Sequence, residues 1–201
     1  MQIRLSPRIS YIPATDDPLS ADVVIVRGLS YTWVFDVGAD ENTALEINLI
    51  SGKKAVVLSH FHKDHVFNLD KIKYDRLYVS RFTFDHVNTG DIITNDFYEN
   101  DGGVHIHIFP IPSSHAKGSL GLEVDNEFAF LGDATYSQFK GGSFVYNSQL
   151  LKDEIDILNN IDAKYFCESH HKVFARPKEE VIARLKDIYS KRKNGNALIS
   201  V

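Results

Sequence analysis

Apolar positions in the first third of the chain fall in short runs, not in helical stripes. Residues 3–12, 22–27 and 32–35 read as strands, the last two joined by Gly28-Leu29-Ser30, and Asp36-Val37-Gly38 closes the run. Between 42 and 50 the period changes. Ala44, Ile47 and Ile50 are three apart and Leu45 and Leu49 four apart, which predicts a helix with a wide apolar face. Ala55-Val56-Val57-Leu58 is a continuous apolar run, the pattern of a strand buried on both faces. Residues 76–79 read the same way, and residues 104–110 alternate with period two. Residues 120–124 and 128–131 predict a hairpin around Asp125-Asn126-Glu127. Ser148 reads as the N-cap of a helix that aligns Leu151, Ile155 and Leu158. Tyr165-Phe166-Cys167 is a short strand, and Pro177 fits the first turn of a last helix carrying Val181, Ile182, Leu185, Ile188 and Tyr189. Strands, a helix, strands again and then helices predict an α/β fold of two mixed β-sheets flanked by helices, a four-layer αβ/βα sandwich.

No repeat, low-complexity tract or linker interrupts this order, so residues 1–201 are expected to form one domain. With 43% hydrophobic and 24% charged residues, the composition is that of a globular protein. Cys167 is the single cysteine and leaves no internal disulfide to form; together with an N-terminus lacking an apolar core, this gives a cytoplasmic expectation. No run approaches the roughly 18 apolar residues of a membrane helix, so no membrane partner is expected. A formal net charge of -5 counts against a nucleic-acid partner, which phosphate contacts would favour only with a surplus of Lys and Arg. A small-molecule substrate remains as the expected partner, with the oligomeric state open.

The chemistry starts where the buried run ends. Ser59-His60-Phe61-His62-Lys63-Asp64-His65 places three imidazoles and one carboxylate in six positions, donors suited to zinc and related divalent ions. Three further candidates also lie at strand ends: His115 in Ser113-Ser114-His115-Ala116-Lys117-Gly118-Ser119, Asp133 in Gly132-Asp133-Ala134-Thr135, and His170 in Glu168-Ser169-His170-His171. Taken singly, Asp133 is a turn residue and His170 a surface imidazole more often than ligands. Among the remaining groups, Lys63 and Lys117 either hold an anionic substrate or point to solvent. Tyr136 reads as a wall residue, and Cys167 as space-filling on a buried strand. His105 and His107 share a strand face without acidic or thiolate neighbours and read as structural or surface residues. Asp36 is expected to fix the turn beneath the site by hydrogen bonds. Residues 137–147, with Phe139, Gly141, Gly142, Phe144 and Tyr146, read as a substrate-contact loop; residues 83–103 give no clear pattern.

With these residues the chain resembles the metallo-β-lactamase-like superfamily, whose signature is His-x-His-x-Asp-His, a later His followed by x-x-Gly-Ser, a Gly-Asp and a final His. The resemblance spans nearly the whole chain and includes Asp36-Val37-Gly38. It implies the metallo-β-lactamase fold and a dinuclear centre: His60, His62 and His115 on one ion, Asp64, His65 and His170 on the other, and Asp133 bridging. Asp64 and Asp133 would also serve catalysis by orienting a hydroxide. Two divalent ions are implied, zinc first, with iron or manganese as alternatives. The implied activity is hydrolysis of a small ester, thioester, lactone or amide, with phosphodiester cleavage or non-haem iron redox chemistry as alternatives. The intact first motif separates the chain from the flavin-linked oxygen reductases, which resemble a pattern with Glu in place of one His. The final helix and short tail leave no room for the helical domain of glyoxalase II thioesterases. Two departures stand out. Val66-Phe67-Asn68 follows the first motif where small residues are common, and Glu168-Ser169-His170-His171 replaces a Pro-Gly-His-Gly turn, leaving the choice between His170 and His171 open.

Overall fold

In the computed structural model, which describes residues 2–201, the alternation of Val23-Val24-Ile25-Val26 separates two cores: Val24 and Val26 face one, Val23 and Ile25 the other. The run Ala55-Val56-Val57-Leu58 divides in the same way, which is why it carries no polar position.

The first sheet and its helices are built from β1 (Ile3–Arg4), β2 (Ile9–Ile12), a small ribbon of β3 (Thr15–Asp16) and β4 (Leu19–Ser20), β5 (Val23–Arg27), β6 (Thr32–Phe35), α1 (Glu41–Asn48), β7 (Lys54–Val57), α2 (Lys63–Val66), β8 (Arg76–Val79), α3 (Arg81–Val87) and β9 (Asp91–Ile92). Its strand order is β1-β2-β5-β6-β7-β8-β9, antiparallel up to β6 and parallel from β6 to β9. The second half contains β10 (Phe97–Asn100), β11 (His105–Ile111), β12 (Ser119–Val124), β13 (Phe128–Gly132), β14 (Gln138–Lys140), β15 (Ser143–Asn147), α4 (Ser148–Asn160), β16 (Tyr165–Glu168), β17 (Ala175–Pro177), α5 (Lys178–Ser190) and β18 (Leu198–Ser200). Here the order β10-β11-β12-β13-β16-β17 forms the second sheet, in which β13 and β16 run parallel.

Trp33, Phe35 and Val57 of the first sheet pack against Ile108, Leu122 and Phe130 of the second. Ala44 and Ile47 of α1 cover the outer face of the first sheet, and Leu151, Ile155 and Leu158 of α4 with Val181 and Leu185 of α5 cover that of the second. The result is the four-layer sandwich that the element order predicts.

Several local readings need correction. Residues 3–12 are two antiparallel strands, since Leu5 and Ser6 N–H groups both donate to Ile9 O and turn the chain. The cap of α4 is Asn147, whose side chain accepts from Gln149 and Leu150 N–H, so Ser148 is already helical. Residues 137–147 are mostly a hairpin, β14 with β15, and the tail supplies β18 to its edge. Residues 83–103 hold most of α3, then β9 and β10; Asn88 ends α3 in a left-handed cap. The hairpin around Asp125-Asn126 is as read, both residues having the positive φ that a tight two-residue turn requires.

Candidate metal centre

The candidate donors meet at one end of the sandwich because each follows a strand that ends there. The segment with His60, His62, Asp64 and His65 leaves β7, Asp133 leaves β13, His170 leaves β16, and His115 sits between β11 and β12. Gly132 makes the close approach possible. It has φ +54, and a Cβ there would lie 2.6 Å from Ser59 Oγ.

Two groups of donors result: His60, His62 and His115, and Asp64, His65, Asp133 and His170, with the donor atoms of each group within 4.8 Å of one another. His62 Nδ1 and His115 Nε2 are 3.0 Å apart, and so are His170 Nε2 and Asp64 Oδ2. His65 Nε2 lies 3.4 Å from both Asp64 Oδ2 and Asp133 Oδ2. Asp133 Oδ2 is also 3.3 Å from His115 Nε2, so this one carboxylate spans the two groups. His171 lies apart, half-buried, with Nδ1 at Val173 O.

The orientation of the imidazoles is set from behind. Asp36, in a left-handed turn after β6, accepts from Ser59 N–H and Oγ–H and from His65 Nδ1–H. Because a carboxylate only accepts, His65 must carry its proton on Nδ1 and present the Nε2 lone pair to the site. Ser59 Oγ spends its proton on Asp36 and accepts from His60 Nδ1–H at 2.9 Å, which frees His60 Nε2 in the same way. His115 Nδ1–H donates to Ser137 O, leaving Nε2 inward. Asp36 therefore occupies the supporting role expected for it.

Behind His170, Asp22 Oδ2 accepts from His170 N–H at 2.9 Å and from Ser169 Oγ–H, holding His170 at φ 62. Tyr136 Oη donates to Ser169 O at 2.6 Å, so its hydroxyl braces this turn, in keeping with a wall residue. Below, the buried Glu168 accepts from Thr135 Oγ1 and from the guanidinium groups of Arg176 and Arg184, tying the Asp133 turn to the His170 turn. Asp22, Ser59 and Glu168 carry no sequence signal of their own. Two of them merely adjoin a motif, and Asp22 precedes β5 with nothing to mark it.

Electrostatics follow from this crowding. Burial, reinforced by the neighbouring His65, holds His60 well below the usual histidine range, and burial with His115 lowers His62. For Asp133, burial acts upward but the close imidazoles of His115 and His65 outweigh it, and the carboxyl lies far below its usual range. For Asp64, burial likewise opposes, and the neighbouring His170 and His65 imidazoles prevail to lower it.

His60 Nε2, His65 Nε2 and Asp133 Oδ1 are buried without a hydrogen-bond partner among the described residues. Such orphans are rare unless a ligand satisfies them. Donors at ~2.0–2.1 Å around one tetrahedral ion would stand about 3.3 Å apart, the scale of the separations above. The residues present therefore fit divalent cations.

His107 differs from its sequence reading in one respect. Acidic neighbours are present across the strands, Glu123 Oε2 at 2.8 Å from Nδ1 and Asp96 Oδ1 at 3.6 Å from Nε2. They lie beside cavities of about 430 and 450 Å³. Among the described residues His107 joins no group of three candidate metal donors.

No protein-family model matches the sequence, and no curated protein sequence matches it. Solved structures do. A metallo-beta-lactamase superfamily protein from the archaeon Sulfolobus tokodaii matches 95% of this chain and 90% of its own at TM-score 0.62 and 18% identity. A metallo-beta-lactamase from Pontibacter korlensis matches 96% and 99% at TM-score 0.67 and 14% identity. The rubredoxin oxygen:oxidoreductase of Desulfovibrio gigas matches 96% of this chain at TM-score 0.73 and 12% identity, and this chain spans only 63% of its length. At such identities the shared property is architecture: the chain has the metallo-β-lactamase fold.

Proposed function

We propose that the chain is a metal-dependent hydrolase that cleaves a small carboxyl derivative, an ester, thioester, lactone or amide. The observation that carries this reading is the position of Asp133, whose Oδ2 faces donors of both groups while Oδ1 is buried and unpartnered. In this reading His60, His62 and His115 hold one ion, Asp64, His65 and His170 hold the other, and Asp133 lies between them. Zinc suits the imidazole-rich set. When bound, a pair of divalent ions supplies Lewis acidity and a water made acidic enough to give hydroxide near neutral pH.

The protein's own contribution is preorganisation. Asp36 and Ser59 fix the tautomers of His65 and His60 before anything binds, so no reorientation is needed later. Asp133 Oδ1 is an acceptor available to orient a reacting water, and its depressed pKa keeps it ionised for that purpose. Asp64 and Asp133 bring negative charge that offsets the cations.

Elemental analysis of purified protein, paired with thioester, lactone, β-lactam and phosphodiester substrates assayed before and after chelation, tests the proposal. About two zinc ions per chain with chelator-sensitive acyl hydrolysis support it. Iron without hydrolysis, cleavage of the phosphodiester alone, or undiminished activity in metal-stripped protein overturns it.

A further inference from the structure

Beside Asp64 lies a cavity of about 370 Å³ whose remaining walls are Pro18 and Leu19 of the β3–β4 ribbon, Ala39, Lys63 and Phe67. Its two large apolar side chains face water: Leu19 is 55% and Phe67 43% exposed. Two residues past the first metal motif, a half-exposed aromatic ring thus stands next to the candidate donors. Its side chain fills no core.

Two cations approach that ring. Lys63 Nζ sits 4.8 Å and Lys71 Nζ 4.3 Å from the Phe67 centroid. Both ammonium groups thus stand over the ring face, where the π-cloud attracts a cation. Asp64 is the one acid lining the cavity, and its Oδ2 is turned to His65 and His170. An apolar wall next to the donors, with cations on Phe67, complements a ligand that is apolar near its reacting carbon and anionic at its far end.

We infer that this cavity is the acyl subsite, and that it selects carboxyl derivatives whose apolar chain ends in an anionic group, with Phe67 and Leu19 contacting the chain and Lys63 the terminal anion. The inference rests on the acyl-hydrolase reading and names its substrate class. Lys63 has a fixed place in this arrangement, since the short helix α2 that follows His62 also carries Asp64 and His65.

The test uses the metal-loaded protein and two p-nitrophenyl esters of equal chain length, the valerate and the glutarate monoester. In each, water adds across the acyl C–O bond to give the carboxylate and p-nitrophenolate. Wild type is expected to prefer the glutarate through a lower KM. Lys63→Ala should cut that preference about fivefold, the scale of one partly exposed ion pair, Lys63→Arg should restore most of it, and added salt should erode it. A wild type with no preference, or a preference that Lys63→Ala leaves intact, overturns the subsite while acyl hydrolysis stands. Hydrolysis of neither ester by the loaded protein overturns the acyl-hydrolase reading and the subsite together.

Discussion

Asp36 Oδ2 lies 2.7 Å from His65 Nδ1, and both side chains are almost completely buried. The pair sits beneath the second donor group and decides which nitrogen of His65 faces it. Asp36→Asn keeps the volume but offers the imidazole an amide that can also donate, so the tautomer is no longer imposed. Affinity of the second group for its ion should fall about 10–100-fold, the usual effect of losing such a partner. Competition with a chromogenic chelator reads this directly. Unchanged affinity would mean that Asp36 only holds the turn.

Removing a donor should act on activity and leave the fold. His115→Ala and Asp64→Ala each delete one member of a group at the mouth of the sandwich, where the partly exposed side chains contribute little to any core. Turnover should fall by more than the roughly 100-fold that marks loss of a supporting partner. The metal-free variants should melt within a few degrees of the metal-free parent. A variant that keeps full turnover would remove that residue from the centre.

Legibility of the fold tracked periodicity. Ala55-Val56-Val57-Leu58 and residues 120–131 were readable because a strand between two layers must alternate between two apolar environments. The hairpin of β14 and β15 escaped because Phe139 and Phe144 pack edge-to-face on an exposed surface, so no alternation marks it. At the centre, the donors were readable because ligand chemistry restricts residue type. Asp22 and Glu168 were not, because their partners are backbone N–H groups and distant arginines that adjacency in sequence does not reveal.

Asp101 is a further residue whose importance shows only in three dimensions. Its carboxylate accepts from Ser30 N–H at 2.6 Å, Tyr31 N–H at 3.0 Å and Trp33 Nε1–H at 3.1 Å, and a Cβ on Gly28 would collide with it. Asp101→Ala should cost about 1–3 kcal/mol by leaving the buried indole N–H unpaired. Urea denaturation of the metal-free protein checks this. A loss of a few tenths would mean that water replaces the carboxylate.

Cys167 should be inert in the native state. It is 1% exposed within the core between the sheets, and burial pushes its thiol well above the ordinary range. A thiol reagent should react only as fast as the protein unfolds, and stoichiometrically once denaturant is added. Rapid labelling of folded protein would show that the inter-sheet core opens locally.

Glu154 sets a pH dependence of its own. It lies on α4, fully buried, with neither carboxylate oxygen partnered among the described residues, and burial raises its pKa well above the ordinary value against an opposing pull from Arg184. In the unfolded chain the carboxyl ionises near the usual 4.5, whereas in the folded chain it keeps its proton to higher pH. The unfolded state therefore binds fewer protons through that window, and stability falls as pH rises from the unfolded toward the folded pKa. Glu154→Gln removes the titration while conserving shape. Its melting temperature should match wild type near pH 4.5 and exceed it progressively as pH rises to 8, measured on metal-free protein so that ligand protonation does not intrude. A gain that is the same at both ends of the range would mean that Glu154 ionises as easily in the fold as out of it.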